Sequence, residues 1–172
     1  MNTAVQAQHI RELFLHRAPC YRLSEAARLL GMTRGALERE ARADQADAYR
    51  VNGRWRFTWR QVAYIALRRW SLVEIHEALG PDASAVLPPL LGLRAVTVRL
   101  PEYLVRAIEH FAASGDTTID DWLHHELIEF AGTVASDMER VLPGFRRAYL
   151  WPGGEDSRLR EVKRSITSTA ST

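Results

Sequence analysis

The chain has 172 residues, of which 47% are hydrophobic and 26% charged. This is ordinary for a soluble globular protein and sufficient for one medium or two small domains. No apolar run approaches the roughly 18 to 20 residues of a membrane span, and the N-terminus lacks the charged-then-apolar layout of a secretion signal. The single cysteine, Cys20, excludes an internal disulfide framework and a multi-thiolate zinc site. We therefore expect a cytoplasmic protein with no membrane contact, and Cys20 as a small, half-buried hydrophobic residue.

The net charge of +2 hides an uneven distribution along the chain. Residues 1–70 contain 13 arginines and 6 acidic residues, a balance of +7, whereas residues 71–157 contain 6 arginines and 14 acidic residues, a balance of −8. Residues 158–172 carry +3. A polyanion would be attracted to the first 70 residues and repelled by the middle of the chain. Nearly all the positive charge is arginine, whose planar guanidinium suits phosphates and guanine edges.

The first elements of the chain form a helix-turn-helix pattern. Hydrophobic periodicity predicts a helix over residues 3–16. Ser24 is expected to cap a second, short helix that Gly31 ends, and Thr33 to cap a third helix over residues 34–42. Because only three residues separate the two short helices, the spacing predicts a helix-turn-helix.

The stretch YRVNGRWRF, residues 49–57, surrounds an Asn-Gly turn signal and predicts a hairpin. A two-residue turn would mix arginines and apolar residues on both faces. A three-residue loop of residues 51–53, with Gly53 in the left-handed conformation, pairs Arg50 with Arg54 and separates the two kinds of side chain. We therefore predict the three-residue loop. It places Tyr49, Trp55 and Phe57 inward and Arg50, Arg54 and Arg56 outward.

Two capping boxes mark the next helices. Thr58 and Gln61 open a helix that runs to about Arg69, and Ser71 and Glu74 open one that ends near residue 79. The following segment, residues 81–93, contains a Pro-Pro pair and is predicted to be a linker at a domain boundary.

Beyond this boundary the pattern predicts one strand and two helices. Residues 95–100 (AVTVRL) alternate with period two, and helices are expected over residues 102–113 and from residue 119 to about 134. A lone strand leaves both edges unpaired, so we expect a homodimer. The tail, residues 151–172, is predicted to be mobile apart from a packed turn at Trp151.

The run LSEAARLLG at residues 23–31, the short helix after it and the arginine-rich hairpin before a capped helix occupy residues 21–67. This region resembles the winged-helix modules of the MerR-type and excisionase-like families. The resemblance implies that the second helix of the helix-turn-helix enters the major groove, with Gly35, Ala36 and Leu37 packing, and that the hairpin is a wing on the backbone. The DNA-contacting residues implied are Arg34, Glu38 and Arg39 near base edges, and Arg50, Arg54 and Arg56 on the wing. The alternative is that Arg34 and Arg39 only solvate a helix surface.

Residues 94–132, with VTVRLP followed by two helices that SGDTT separates, resemble a ribbon-helix-helix module. In that family the strands of two subunits pair antiparallel, and their outward residues contact the major groove. By position, those residues would be Ala95, Thr97 and Arg99. Acidic residues at 116, 120 and 121 crowd the helix start where the family anchors a phosphate. Dimerisation alone, and dimerisation with DNA contact, therefore both stay open.

Other kinds of site have weaker support. His124 and His125 follow Asp120 and Asp121 by four residues, a spacing that allows a metal site on a helix. Solvated surface histidines explain the pattern more simply, so we predict no metal. The chain has no glycine-rich phosphate loop and no nucleophile elbow, and we expect neither an enzyme nor a cofactor.

Together these patterns predict a mainly α fold with short β elements. It comprises a winged helix-turn-helix DNA-binding domain over residues 1–80, a linker over 81–93, a ribbon-helix-helix-like dimerisation domain over 94–150 and a flexible basic tail over 151–172. The predicted function is sequence-specific binding of double-stranded DNA as a homodimer, in a bacterial or mobile-element transcriptional regulator. Alternatives are an antitoxin that represses its own operon, a plasmid partition (centromere-binding) protein and an excision factor. In the first, the C-terminal half would bind a toxin or another protein. From a different class, the chain could be an adaptor that uses the helix-turn-helix only as scaffold.

Overall fold

The computed structural model describes residues 3–43, 48–115 and 117–152, except for the side chains of residues 121, 125 and 129. This part of the chain is mainly helical with one small antiparallel sheet, which confirms the predicted class of mainly α with short β elements. It divides into two compact units. The first unit comprises the described residues up to Gly92 together with Leu150 to Pro152, and the second is Leu93–Tyr149.

Within the described ranges, no helix combines the length and the hydropathy needed to cross a membrane.

The first unit combines helices with a three-stranded sheet in the order β1-β3-β2. Both strand pairs are antiparallel. Its elements are α1 (Thr3–Leu15), β1 (Cys20–Arg22), α2 (Leu23–Leu29), α3 (Arg34–Arg42), β2 (Tyr49–Val51), β3 (Arg54–Thr58), α4 (Trp59–Arg69), α5 (Leu72–Leu79) and α6 (Ala83–Val86), with 3-10 turns at Gly80–Asp82 and Pro89–Leu91.

The hydrophobic core of this unit is organised around α1. Ile10, Leu13 and Phe14 are almost completely buried, and α1 packs against α2, α4 and α5. Burial of each such side chain stabilises the fold by about 1.5 to 3 kcal/mol. The sheet adds Tyr21 and Phe57, which lie opposite each other on neighbouring strands and are also buried.

Polar contacts from α1 fix the elements packed on it. The Arg11 guanidinium donates hydrogen bonds of 3.1 and 3.0 Å to the carbonyls of Ala78 and Leu79 and one of 2.8 Å to Asp82. These carbonyls are at the C-terminal end of α5, where the helix has no N–H donors of its own for them and a positive charge is favourable. Arg11 therefore acts as a C-terminal cap contributed by another helix.

A bidentate ion pair joins α1 to α2. Both guanidinium nitrogens of Arg28 contact the carboxylate of Glu12, one of them at 2.9 Å. The hydrogen bond from Arg28 lowers the pKa of Glu12 from its ordinary value of 4.5, and the same contact raises the pKa of Arg28. The charged form of Glu12 is thus bound more tightly than the neutral form.

Several helix starts follow the predicted capping chemistry. Thr33 accepts a hydrogen bond from the Ala36 amide at 3.2 Å, and Thr58 and Ser71 begin complete capping boxes. The cap predicted at Ser24 is wrong. Helix α2 starts two residues earlier than predicted, with Arg22 at the N-cap position, and the Glu25 carboxylate accepts a hydrogen bond from the Arg22 amide at 2.7 Å.

The segment predicted as a linker, residues 81–93, differs from that expectation over most of its length. Helical turns form at Gly80–Asp82, Ala83–Val86 and Pro89–Leu91, and Ala83 and Leu87 are buried in the core of the first unit. The physical reason is that both side chains are apolar and recur at i and i+4, on one side of a helical turn. The first unit therefore extends to Gly92, beyond the predicted end at residue 80.

The second unit contains three helices within its described residues: α7 (Glu102–Ser114), α8 (Ile119–Val141) and α9 (Phe145–Tyr149). Helix α8 is longer than predicted. Its end is fixed by Glu139, whose carboxylate accepts hydrogen bonds from the Arg146 and Gly144 amides at 2.6 and 2.9 Å. These two hydrogen bonds lower the pKa of Glu139 and tie α9 to the end of α8.

The strand predicted over residues 95–100 does not form, and residues 93–101 have no regular secondary structure. A strand needs a hydrogen-bonded neighbour, and the described residues of this single chain supply none there. The alternating residues stay exposed, with Val96 at 76% and Val98 at 65% of full accessibility.

Among the described side chains of the second unit, no large one is buried. Its fully buried residues among those described are Ala112 and Ala148. By contrast, many of its large apolar side chains are exposed: Val96, Val98, Leu100, Tyr103, Leu104, Phe111, Ile119, Leu127, Phe130, Val141 and Leu142. Exposed apolar surface on this scale is typical of an interaction surface.

The Glu12–Arg28 pair gives a testable dependence of stability on pH. Since the folded-state pKa of Glu12 lies below 4.5, its contribution to stability is complete above pH 4.5 and is lost as the pH falls through the lowered value. We expect Glu12→Gln to reduce the free energy of unfolding at pH 7 by up to about 1 kcal/mol, because the pair is partly exposed. Urea denaturation between pH 7 and pH 3 should show this difference shrinking toward zero at the acid end.

Glu77→Gln is the matched control, because Glu77 is exposed and forms no ion pair within the described residues. It should change stability little at pH 7. A penalty for Glu12→Gln that persists undiminished at pH 3 would show that Glu12 does not act through its charge.

Candidate nucleic-acid interface

Helix α3 presents an arginine-rich face from a well-anchored position. Leu37 and Ala41 are buried and attach the helix to the core, while Arg34, Arg39 and Arg42 are exposed. At 3.6 residues per turn, Arg39 lies roughly opposite the buried pair and Arg42 lies beside it on the exposed side, whereas Arg34 is exposed in the first turn, on the side nearer to Leu37. The predicted packing role of Leu37 is confirmed, and Ala36 is half-buried.

Two features of α3 differ from expectation. Gly35, predicted to pack, is exposed, and a Cβ atom there would lie 3.8 Å from the Arg39 guanidinium. Glu38 is not a free acceptor, since its carboxylate pairs with Arg42 at 2.8 Å. The hydrogen bond from Arg42 lowers the pKa of Glu38. Arg42 was absent from the predicted site, although its i, i+4 spacing from Glu38 is the usual signal for such a pair.

The hairpin has a two-residue turn, so the predicted three-residue loop is wrong. Val51 lies opposite Arg54, and Arg50 lies opposite Trp55. Asn52 and Gly53 both have positive φ, at 51° and 74°. This is the backbone geometry that Asn-Gly favours in a two-residue hairpin, and its twist matches that of the strands. Local turn chemistry therefore prevails over separation of the faces.

The corrected register divides the hairpin arginines between the two faces of the sheet. Phe57 is buried on the inner face, and strand alternation places Trp55 and Arg50 on that same face. The Arg50 guanidinium lies over the Trp55 ring, 4.3 Å from its centroid. The prediction that Arg50 points outward with the other two arginines is wrong. The positive charge of Arg50 also contributes to lowering the pKa of Glu38, so a residue of the hairpin interacts electrostatically with a residue of α3.

The outer face of the sheet carries three arginines and no acidic residue. Arg22 on β1 lies directly opposite Arg56 on β3, and Arg54 follows on the same face two residues before Arg56. The full set of outer-face residues is Cys20, Arg22, Tyr49, Val51, Arg54, Arg56 and Thr58. Across residues 3–43, 48–115 and 117–152, no ion pair involves any of the three arginines. We call Arg22, Arg54 and Arg56 the sheet arginines.

Arg22 was missed at the sequence level because β1 has only three residues, too few to show alternation. Tyr49 was assigned to the wrong face and is 39% exposed. Its hydroxyl lies 3.4 Å from the Cys20 sulfur, and this contact raises the pKa of the phenol. Cys20 is exposed rather than half-buried.

The remaining candidates are in the second unit. Thr97 and Arg99 lie in the exposed segment 93–101, which belongs to the second unit. Asp120 and His124 are exposed on α8, and the side chains of Asp121 and His125 lie outside the described part. Within that part, no group of three or more histidine, cysteine or acidic side chains is placed to hold a metal ion.

Comparisons with protein-family models, with curated proteins and with solved structures find no match for this chain.

The hairpin geometry predicts an asymmetric response to substitution in its turn. Gly53→Ala should reduce the free energy of unfolding by about 1 to 2 kcal/mol, because an L-residue is strained at φ near 74°. Asn52→Gly is the matched control and should change stability by much less, since glycine adopts positive φ readily. Denaturation curves measure both effects. Cross-strand proton contacts between Val51 and Arg54 in NMR spectra check the register, and contacts pairing Arg50 with Arg54 would contradict it.

Proposed function

We propose that this chain is a sequence-specific DNA-binding protein, acting as a homodimeric transcriptional regulator of a bacterium or mobile element. In this proposal the first unit is a winged helix-turn-helix. Its α2 and α3 form the helix-turn-helix, and β2 and β3 form the wing. The second unit joins two copies.

The observation that carries the proposal is the arrangement of the sheet arginines. Arg22 and Arg56 are cross-strand partners of the same charge, an arrangement that destabilises a sheet. No carboxylate on the outer face offsets this repulsion. A polyanion laid against the face would neutralise all three guanidinium groups and remove the penalty. Phosphates of a DNA backbone have the right charge and suit the donor geometry of arginine.

Helix α3 supplies the candidate base-reading residues. Arg34 and Arg39 are exposed and have no ion pair within the described residues, so their donors are available to guanine edges. Glu38 and Arg42 are paired with each other. In this arrangement Glu38 orients the Arg42 guanidinium, which would contact the DNA backbone. Exposed Gly35 leaves room for close approach of the helix to the floor of a groove.

Dimerisation is supported by the surface of the second unit. The exposed apolar residues of that unit need a cover. Its own helices leave them accessible, and the sequence after residue 152 is predominantly polar. A second copy of the same unit offers a matching apolar surface. Two identical reading modules would then face two half-sites related by a dyad, as dimeric helix-turn-helix proteins do.

Salt-dependent binding tests the DNA proposal. A bound sequence is first selected from a random pool, and affinity is then measured over a series of salt concentrations. Replacing Arg22, Arg54 and Arg56 together by glutamine should weaken binding and reduce the slope of log K against log salt by about 2 to 3 per chain, since each lost phosphate contact contributes about 0.9.

The matched control replaces Arg106, Arg140 and Arg147 of the second unit by glutamine. This variant has the same net charge as the first but keeps the sheet arginines. Its salt slope should stay close to that of the unsubstituted protein. Equal salt slopes in all three proteins would show that the sheet arginines do not contact DNA phosphates. If the protein retains no DNA at low salt, the result would favour the protein-binding adaptor.

A pair of neighbouring substitutions tests dimerisation. Val98→Asp should shift the protein toward monomer, because it puts a charge into the apolar surface that a second copy would cover. Thr97→Asp, one residue away and on the alternate side of the sequence pattern, should leave the dimer intact. Sedimentation equilibrium reports the mass directly. A monomeric unsubstituted protein at micromolar concentration would contradict the proposal.

A further inference from the structure

The Glu38 carboxylate is a point at which helix α3 and the hairpin interact. Its Oε1 atom accepts a 2.8 Å hydrogen bond from the Arg42 guanidinium, one turn further along the helix. That hydrogen bond has the largest effect in lowering the pKa of Glu38, and the Trp55 indole N–H and the Arg50 charge, both on the hairpin, lower it further. One acidic side chain of α3 is therefore shared by donors from two elements of the first unit.

The Trp55 indole N–H is the member of this group whose hydrogen bonding is incomplete. Its nitrogen is buried, and no acceptor in the described part of the chain completes a hydrogen bond with it. The Arg50 guanidinium lies over the ring, 4.3 Å from its centroid, and covers one of its faces. A buried N–H without an acceptor destabilises a protein, because the group has lost its hydrogen bonds to water. Glu38 is the acceptor that this N–H already influences.

The Glu38–Arg42 ion pair explains why the indole N–H stays without a full hydrogen bond. A charged donor binds a carboxylate more strongly than a neutral one does, so Arg42 sets the orientation of the carboxylate. The pair itself lies at the surface, with 64% of the Arg42 side chain and 36% of the Glu38 side chain accessible. Exposed pairs of this kind contribute little to stability. Another anion can therefore take Arg42 from Glu38 with little loss of stability.

We propose that Glu38 exchanges partners when the chain binds DNA. This inference rests on the proposed function, in which Arg42 contacts the DNA backbone. A phosphate binds the Arg42 guanidinium, and the Glu38 carboxylate turns to accept a hydrogen bond from the Trp55 indole N–H. The hairpin is then tied to α3 by a hydrogen bond that the unbound protein lacks. Glu38 is a positioning residue that contacts no base: it holds Arg42 before binding and the wing afterwards.

The exchange can be produced without DNA by removing Arg42. Arg42→Gln leaves the Glu38 carboxylate without its ion-pair partner, so the indole N–H should complete its hydrogen bond. In proton NMR spectra the indole resonance, identified by its absence in Trp55→Phe, should move downfield. Exchange of this proton with solvent should slow by about threefold to tenfold, the equivalent of one net hydrogen bond.

Two further variants control this measurement. Arg39→Gln removes the same charge from α3 but keeps the Glu38–Arg42 pair, and should leave the indole resonance in place. Arg42→Gln combined with Glu38→Ala removes the acceptor as well, and should not slow the exchange. If Arg42→Gln does not move the resonance, or moves it equally in the absence of Glu38, the inference is overturned whether or not the chain binds DNA.

A cycle of single and double substitutions measures the new hydrogen bond in the complex with the selected DNA. Trp55→Phe keeps an aromatic ring beneath Arg50 but removes the N–H, and should weaken binding by about threefold to tenfold. In a Glu38→Ala background the same substitution should change the affinity little, because the acceptor is already absent. Equal losses in both backgrounds would refute the exchange.

The two experiments separate this inference from the proposed function. If neither the unsubstituted protein nor any variant binds DNA, the proposed function fails, and DNA is excluded as the anion that takes Arg42. If the protein binds DNA but the indole N–H responds neither to Arg42→Gln nor to the DNA, the function stands and the exchange of partners is wrong.

Discussion

Burial of one face of α1 is the constraint on which the first unit depends. Ile10, Leu13 and Phe14 occupy the centre of its core, and the polar residues between and beside them fix the surrounding helices. Arg11 caps α5, and Glu12 pairs with α2. A single helix thereby sets the positions of α2, α4 and α5. The exposed face of α3 and the outer face of the sheet belong to elements that join this core through α2 and α4.

The arginines of the first 70 residues divide into two groups by their surroundings. Arg11, Arg17 and Arg28 hold the fold together through carbonyls, a tryptophan ring and a carboxylate. The sheet arginines contact no carboxylate in the described chain. The +7 balance therefore overstates the charge available to a ligand, because several of these arginines are already engaged in contacts within the fold. A sum of charges along the sequence cannot make this distinction, because it depends on tertiary contacts.

Local chemistry made much of the fold predictable, and tertiary context accounts for the errors. Thr33, Thr58 and Ser71 cap their helices as expected, because a cap depends on residues within one turn. The hairpin register was mispredicted because an apolar Tyr49 was assumed to face the core, whereas the Asn-Gly turn places it outside. Arg22 was not predicted as a site residue because β1 has only three residues, too few to show the alternation of a strand. The segment from the end of α5 to Leu91 looked like a linker because its three prolines outweighed the buried Ala83 and Leu87.

The second unit, Leu93–Tyr149, lies in the sequence between two parts of the first unit, and this order affects when the first unit can complete its packing during synthesis. Phe14 and Trp59 emerge from the ribosome early, but the ring that packs against both of them belongs to Trp151. Residues 93–149 must be made in the interval, which takes about 3 to 11 s at about 5 to 20 residues per second. During that time the first unit is folded with an open apolar face. Its final stability is reached only after the whole second unit has been translated, because Trp151 follows that unit in the sequence.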